Sequence, residues 1–359
     1  MIQEKKKRVL TCAGAIIACL IGSGYATGQE ILQFFVSYGK WGILGLVISI
    51  AGLIIVTKQV LSDAYAHKME KMSEVLPFYC GKRVGRILEW IMPLILFSTL
   101  VVMISGAGTA MEEYYGWNPY VGRVLLLVPV YLTVVMGLDQ LVEIIGFLGP
   151  FTIVFTLIIC LYNVWNLPEL SFKEGVMEGI RFIERTDMPR AGGNPLVSAL
   201  LYTSFNLTMS LAFFSGMGAH ATSYEEVGSG SVLGAIAYGV AAFFMHMALL
   251  LHFSNMEGIS IPMLHLADRL HPFFGYLFSL ILISEIYTTA VPALWALGRN
   301  ICSEDSSKFS YVIMGLLGLG FVGSLLPFEI LVGRLYPLIG YVGIALLIGI
   351  VRKMVRFKN

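Results

Sequence analysis

The sequence predicts an all-α integral membrane protein of ten helices, built as two five-helix halves that enter the bilayer from opposite sides. Three observations carry that expectation. Of 359 residues, 57% are hydrophobic and 13% charged, against about 25% charged in soluble domains; mean hydropathy is +0.78. Ten apolar stretches approach the roughly 20 residues that cross a hydrocarbon core. The first stretch of each half is also interrupted at nearly the same depth, by glycines in one and by Ser, Asn and Thr in the other.

In chain order the expected spans are 9–36 (interrupted), 41–63, 88–111, 121–138, 142–165, 196–219 (interrupted), 231–254, 273–298, 309–327 and 329–351. Residues 9–165 form the first repeat and 196–351 the second, an inverted repeat within one membrane domain over 1–359. The basic opening before Val9 is like that of a signal peptide. No small-x-small cleavage pattern precedes the glycines, so the stretch is read as the first span. Spans four and five are parted only by Gly137-Leu138-Asp139-Gln140. Pro93, Pro129, Pro150 and Pro292 are ordinary in membrane helices. Residues 64–86 read as an interfacial helix, 166–195 as the longest external loop, and 255–272 as a second one in which Ile261-Pro262 opens a short helix. Sixteen Lys and Arg fall on one side and seven on the other, which places both termini in the cytoplasm.

Other classes find little support. Net charge is +1, no basis for nucleic-acid binding, and the five cysteines fit neither a disulfide framework nor a metal site. No phosphate loop, catalytic triad or HExxH occurs, so no enzyme is expected and no cofactor.

The organising stretch is Ile21-Gly22-Ser23-Gly24-Tyr25-Ala26-Thr27-Gly28-Gln29-Glu30. Each glycine costs a helix about 1 kcal/mol relative to alanine. The cluster either permits close helix packing or breaks the helix, and backbone freed at membrane depth survives only where it is buried in protein or lines a cavity. Gln29-Glu30 after the cluster, and Ser204-Phe205-Asn206-Leu207-Thr208-Met209-Ser210 in span six, favour a break that forms half of a site. Candidate substrate contacts are Gly22, Ser23, Gly24, Tyr25 and Thr27 on span one, Ser98, Thr99 and Met103 on span three, and Tyr202, Phe205, Asn206 and Thr208 on span six. Glu285 on span eight joins them. A carboxylate near the bilayer centre costs several kcal/mol unless paired, so it either binds a cation, carries a proton or pairs with a neighbouring helix. His246 and His252, six apart, share no helical face.

This pattern resembles the amino acid–polyamine–organocation superfamily of secondary transporters with the LeuT fold. Gly22 to Glu30 is similar to the signature of a bacterial family of YkvI-type membrane proteins. The resemblance implies transport by alternating access in a bacterial cytoplasmic membrane. It implies a sodium ion between the carbonyls of Ala18 and Ile21 and the hydroxyls of Thr288 and Thr289, with Glu285 one turn earlier. Thr288 and Thr289 bonding their own helix is the plain alternative. Proton-coupled members often place a lysine on span five, and 142–165 holds none. Glu30 and Arg334 match, with signs exchanged, a charge pair that closes the outer vestibule as a gate. The expected function is a sodium-coupled transporter of a small amine-bearing solute, an amino acid or related compound; its partners are that solute, sodium or a proton, and the lipid bilayer. The alternatives are proton coupling through Glu285 or Glu30, and a solute receptor that does not transport.

Overall fold

Backbone hydrogen bonds that lipid cannot supply are closed within helices in the computed structural model, which describes residues 2–136, 141–166, 171–186, 188–256 and 258–356. Regular structure among them is entirely helical. The first apolar stretch is three pieces, α1 (Ile2–Leu20), α2 (Ser23–Thr27) and α3 (Gln29–Phe34). Then follow α4 (Gly42–His67), α5 (Met72–Tyr115), α6 (Pro119–Met136), α7 (Leu141–Trp165), α8 (Phe172–Arg185), α9 (Pro195–His220), α10 (Tyr224–His252), α11 (Pro262–Leu270), α12 (Pro272–Ile301), α13 (Phe309–Gly323) and α14 (Phe328–Arg356).

Seven described helices are long and apolar enough to cross a membrane: α4, α5, α6, α9, α10, α12 and α14. Shorter apolar helices, Gly149–Trp165 within α7 and α13, stand where spans five and nine are expected. The turn expected at 137–140 lies outside the described residues. Residues 64–86, expected as one interfacial helix, are divided between the end of α4 and the start of α5, which bends at Gly81 (φ 75°, ψ 164°). Residues 166–195, expected as an external loop, contain α8, opened by a capping box in which the Ser171 hydroxyl accepts from the Glu174 amide and the Glu174 carboxylate accepts from the Ser171 amide. In 255–272 the helix α11 starts at Pro262, where a missing N–H costs nothing.

Span six departs from expectation. Its polar run does not break the helix, and α9 is continuous from Pro195 to His220. The side chains bond back along their own helix instead of competing with it. Thr203 Oγ1 donates to the Ala199 carbonyl (2.9 Å), Ser204 Oγ to Leu200 (2.8 Å), Asn206 Nδ2 to Tyr202 (3.0 Å) and Thr208 Oγ1 to Ser204 (2.7 Å).

α9 packs between α4 and α14, α10 lies against α1 and α4, and α5 against α12. Small residues permit the closest approaches: a Cβ at Gly340 on α14 would sit 2.6 Å from the Leu201 carbonyl oxygen on α9. Polar contacts gather several helix ends with the two termini. Lys5 pairs with Glu225 (3.2 Å), His220 with Glu70 (3.6 Å), and Lys353 Nζ donates to the Phe78 carbonyl (3.2 Å). We call this the terminal end of the bundle.

Gly28 joins α2 to α3 at φ +85°, and a Cβ there would also lie 2.9 Å from Met263 Cγ. Gly28→Ala should destabilise the protein by about 1–2 kcal/mol from the backbone term alone. That predicts a lower unfolding temperature in detergent. Gly216→Ala, with nothing within 4 Å of the new methyl, should leave it unchanged or higher.

Candidate functional site

The first helix ends because Gly22 is extended (φ −112°, ψ 178°). A second reversal follows at Gly28, whose N–H reaches back to the Tyr25 carbonyl (2.9 Å). Thr27 holds the short helix between them, donating to the Gly24 carbonyl (2.9 Å) and accepting from the Gln29 amide (3.3 Å). Across the break the helical bonds from Gly22 N–H to Ala18 O and from Tyr25 N–H to Ile21 O are not formed. Those two carbonyls keep the lone pairs that a continuous helix would use.

The break opens into a cavity of about 540 Å³, within the range of small-molecule sites. Span one supplies Ala15, Ala18, Cys19, Leu20, Ile21, Gly22 and Glu30; α5 supplies Thr99 and Met103. From α9 come Phe205, Asn206, Met209, Ser210 and Phe213, from α12 Glu285, Thr288, Thr289 and Pro292, and from α14 Tyr336. Ala15, Phe213 and Pro292 lie toward the terminal end, and Phe213 is 44% exposed.

On the opposite side the structure is closed by hydrogen bonds. Gln29 Nε2 donates to the Ser260 carbonyl (2.9 Å), and Gln33 Nε2 to Gln29 Oε1 (2.8 Å) and the Glu329 carbonyl (3.0 Å). The Glu113 carboxylate accepts from the amides of Ser260 (2.5 Å) and Ile261 (2.9 Å).

Both cavity carboxylates are buried, and each is held by a hydroxyl. Glu285 Oε1 accepts from Thr152 Oγ1 of α7 (2.5 Å). The Glu285 backbone carbonyl accepts from both Thr288 (3.2 Å) and Thr289 (2.8 Å). Their bonds thus stay on their own helix, while the oxygens line the cavity and retain lone pairs for a cation. Glu30 Oε2 accepts from the Tyr202 hydroxyl (3.0 Å), which also pairs with Tyr238. A Cβ on Gly24 would overlap the Glu30 carboxylate and lie 2.6 Å from the Tyr336 ring. Glycine at 24 is what allows the carboxylate to fold back there.

That placement corrects the gate expectation. Among the described residues no ion pair joins Glu30 to Arg334; Glu30 turns inward at Gly28, while Arg334 is exposed on α14. Several other expected contacts also stand apart from the cavity lining. Ser98 is half-buried and donates to the Leu94 carbonyl, and the Thr208 hydroxyl is committed to Ser204. Ser23, Tyr25 and Thr27 are buried, the Tyr25 ring against Tyr238 (4.7 Å between centroids). Tyr202 and Gly24 act through Glu30 without lining the space.

Thr152 and Tyr336 were not expected. Thr152 and Thr156, four apart in a mostly apolar span, carried a usable signal on one helical face. Tyr336 carried none: it belongs to the site because Phe205 stacks on it, with centroids 4.5 Å apart and planes at 20°.

No family model matches the chain. It is similar to the uncharacterized membrane protein YkvI of Bacillus subtilis (strain 168), 23% identical over 354 residues, 96% of this chain and 95% of that one. The uncharacterized protein YyaD of the same strain is 24% identical over 336 residues, 93% of each. Among solved structures, MhsT in complex with L-phenylalanine has a TM-score of 0.62 at 15% identity, covering 94% of this chain and 86% of MhsT. Inward-facing Mhp1 gives 0.62 at 14%, covering 94% and 75%. A substrate-bound, outward-open Na+-coupled sialic acid symporter gives 0.60 at 13%, covering 93% and 76%. The chain has the LeuT fold. Within the LeuT fold, the first helix is broken where this cavity opens.

Removing a donor from a buried carboxylate leaves it under-satisfied, at a cost of about 1–3 kcal/mol. Thr152→Val, nearly isosteric, should therefore lower the unfolding temperature measurably. Ser98→Ala, which removes only a hydroxyl bond to the Leu94 carbonyl of its own helix at a half-buried position, should not.

Proposed function

We propose that the protein is a secondary active transporter of a small amine-bearing solute, coupled to sodium and working by alternating access. In this reading the chain crosses a bacterial cytoplasmic membrane ten times as two inverted five-helix repeats, with both termini inside. The observation that carries the proposal is the content of one cavity. Ala18 and Ile21, whose carbonyls are unbonded, Thr288 and Thr289, whose hydroxyl oxygens keep lone pairs, and the buried Glu285 all line it. Oxygen donors of this kind, including freed backbone carbonyls, suit a hard cation. The solute occupies the adjoining space between Gly22, Glu30, Thr99, Met103, Phe205 and Asn206.

The cavity extends toward the terminal end while glutamine and Glu113 contacts close the other side. With both termini inside, this arrangement is the inward-facing state. Alternation then requires the Gln29, Gln33 and Glu113 bonds to open as the terminal end closes. These are neutral or backbone-directed hydrogen bonds, so their exchange for water is close to balanced. That suits a gate that must open in every cycle.

Purified protein in proteoliposomes should accumulate solute under an inward sodium gradient. Glu285→Gln and the Thr288→Ala/Thr289→Ala pair should each raise the sodium concentration for half-maximal uptake by about tenfold or more, the loss of one or more charge-assisted contacts. Equal uptake in sodium-free buffer without an ion gradient would exclude sodium coupling. Uptake driven by a pH gradient alone would assign the coupling to protons. Binding without accumulation would make the protein a receptor.

A further inference from the structure

Resting on the transporter reading, we propose that the cargo is an amine cation with an apolar body and no carboxylate of its own. It is a monoamine of the size of a decarboxylated aromatic or branched-chain amino acid. The Glu30 carboxylate serves as its counter-ion.

The first argument is charge. Two carboxylates border the cavity, and no lysine, arginine or histidine does among the described residues; the sequence 137–148 holds none either. A coupling cation beside Glu285 neutralises that group. Glu30 then remains as a buried carboxylate with the Tyr202 hydroxyl as partner and no cation, which in a water-poor interior is stabilised most by an incoming positive charge. An ammonium supplies it. A zwitterion brings the same ammonium, but also an anion that must be desolvated.

The second argument is donors. A cargo carboxylate needs a cation or several uncommitted N–H and O–H groups. Thr99 has given its proton to the Ile95 carbonyl (3.1 Å), and Thr288 and Thr289 have given theirs to Glu285. Asn206 has committed one amide proton to Tyr202 (3.0 Å). What remains for an anion at the lining is the second Asn206 amide proton, the Ser210 hydroxyl and the Gly22 N–H freed by the break, neutral donors that lie between two negative groups.

The third is the wall. The Phe205–Tyr336 stack stands beside Glu30, whose carboxylate and the Tyr336 ring both crowd Gly24. An ammonium between a carboxylate and an aromatic face gains from both. Met103, Met209 and Leu20 supply a polarizable apolar surface for the rest of the molecule.

The test uses ligand pairs that differ only in the carboxylate, phenethylamine against L-phenylalanine and isoamylamine against L-leucine. Thermal unfolding of the full chain in detergent is followed with and without sodium. Each amine should raise the unfolding temperature saturably, and its amino acid should not at the same concentration. Glu30→Gln should weaken the amine midpoint by about tenfold or more while sodium's own stabilisation persists. Glu30→Asp, which keeps the charge but draws it back, should fall between. An amino-acid shift equal to or larger than that of its amine, an amine midpoint unchanged in Glu30→Gln, or no shift with either amine would overturn the assignment. Sodium-driven accumulation of the amino acids would overturn it too, yet leave the transport reading standing. Amine stabilisation lost in Glu30→Gln, without accumulation of any solute, would do the reverse.

Discussion

A carboxylate buried without a cationic partner is the constraint on which the middle of this molecule is arranged. Glu30 is 2% exposed, and a charge so placed is expensive unless it is hydrogen-bonded and its surroundings are fixed. Gly28 turns the chain so that the side chain points inward, Gly24 leaves room for it, and Tyr202 on α9 donates to it. The break at Gly22 is the other half of the same arrangement. It unbonds carbonyls at a depth where lipid offers no partner, and they are tolerated because a cavity lies beside them.

Helices one and six meet the same demand by different means. Glycines in α1 to α3 let the backbone leave the helix and expose its own polar groups. In α9 the backbone stays helical and only side chains present polarity, their hydroxyl and amide groups folded back onto carbonyls one turn earlier. Ser, Asn and Thr weaken a helix in water because they offer the backbone an alternative. At membrane depth the nearest unused acceptor is the preceding turn, so the same residues are accommodated inside a continuous helix. A cavity with one broken wall and one intact wall follows.

The sequence was informative where the physics is local. Three glycines within two turns mark a helix break, and the chain turns at Gly22 and Gly28. A carboxylate with two threonines one turn later marks a polar helix face, and Glu285, Thr288 and Thr289 share one wall of the cavity. Direction and partnership were not legible. Whether Glu30 points outward to Arg334 or inward to Tyr202 depends on a positive φ at Gly28, which residue type permits but does not require. Tyr336 joins the site through a helix far away in sequence, and Thr152 through a single hydroxyl on α7. Hydropathy carries neither contact. Hydropathy also hid α8, whose signal was the Ser171–Glu174 capping box rather than an apolar run.

The inward fold of Glu30 is tested most directly by two double-mutant cycles on the unfolding stability of the purified chain. One combines Glu30→Gln with Tyr202→Phe, the other Glu30→Gln with Arg334→Gln. Groups that share a hydrogen bond couple by roughly 0.5–3 kcal/mol, whereas separated ones add to within about 0.5 kcal/mol. The account predicts coupling between Glu30 and Tyr202 and additivity between Glu30 and Arg334. Additivity in the first cycle with coupling in the second would place the carboxylate at the outer surface and contradict it.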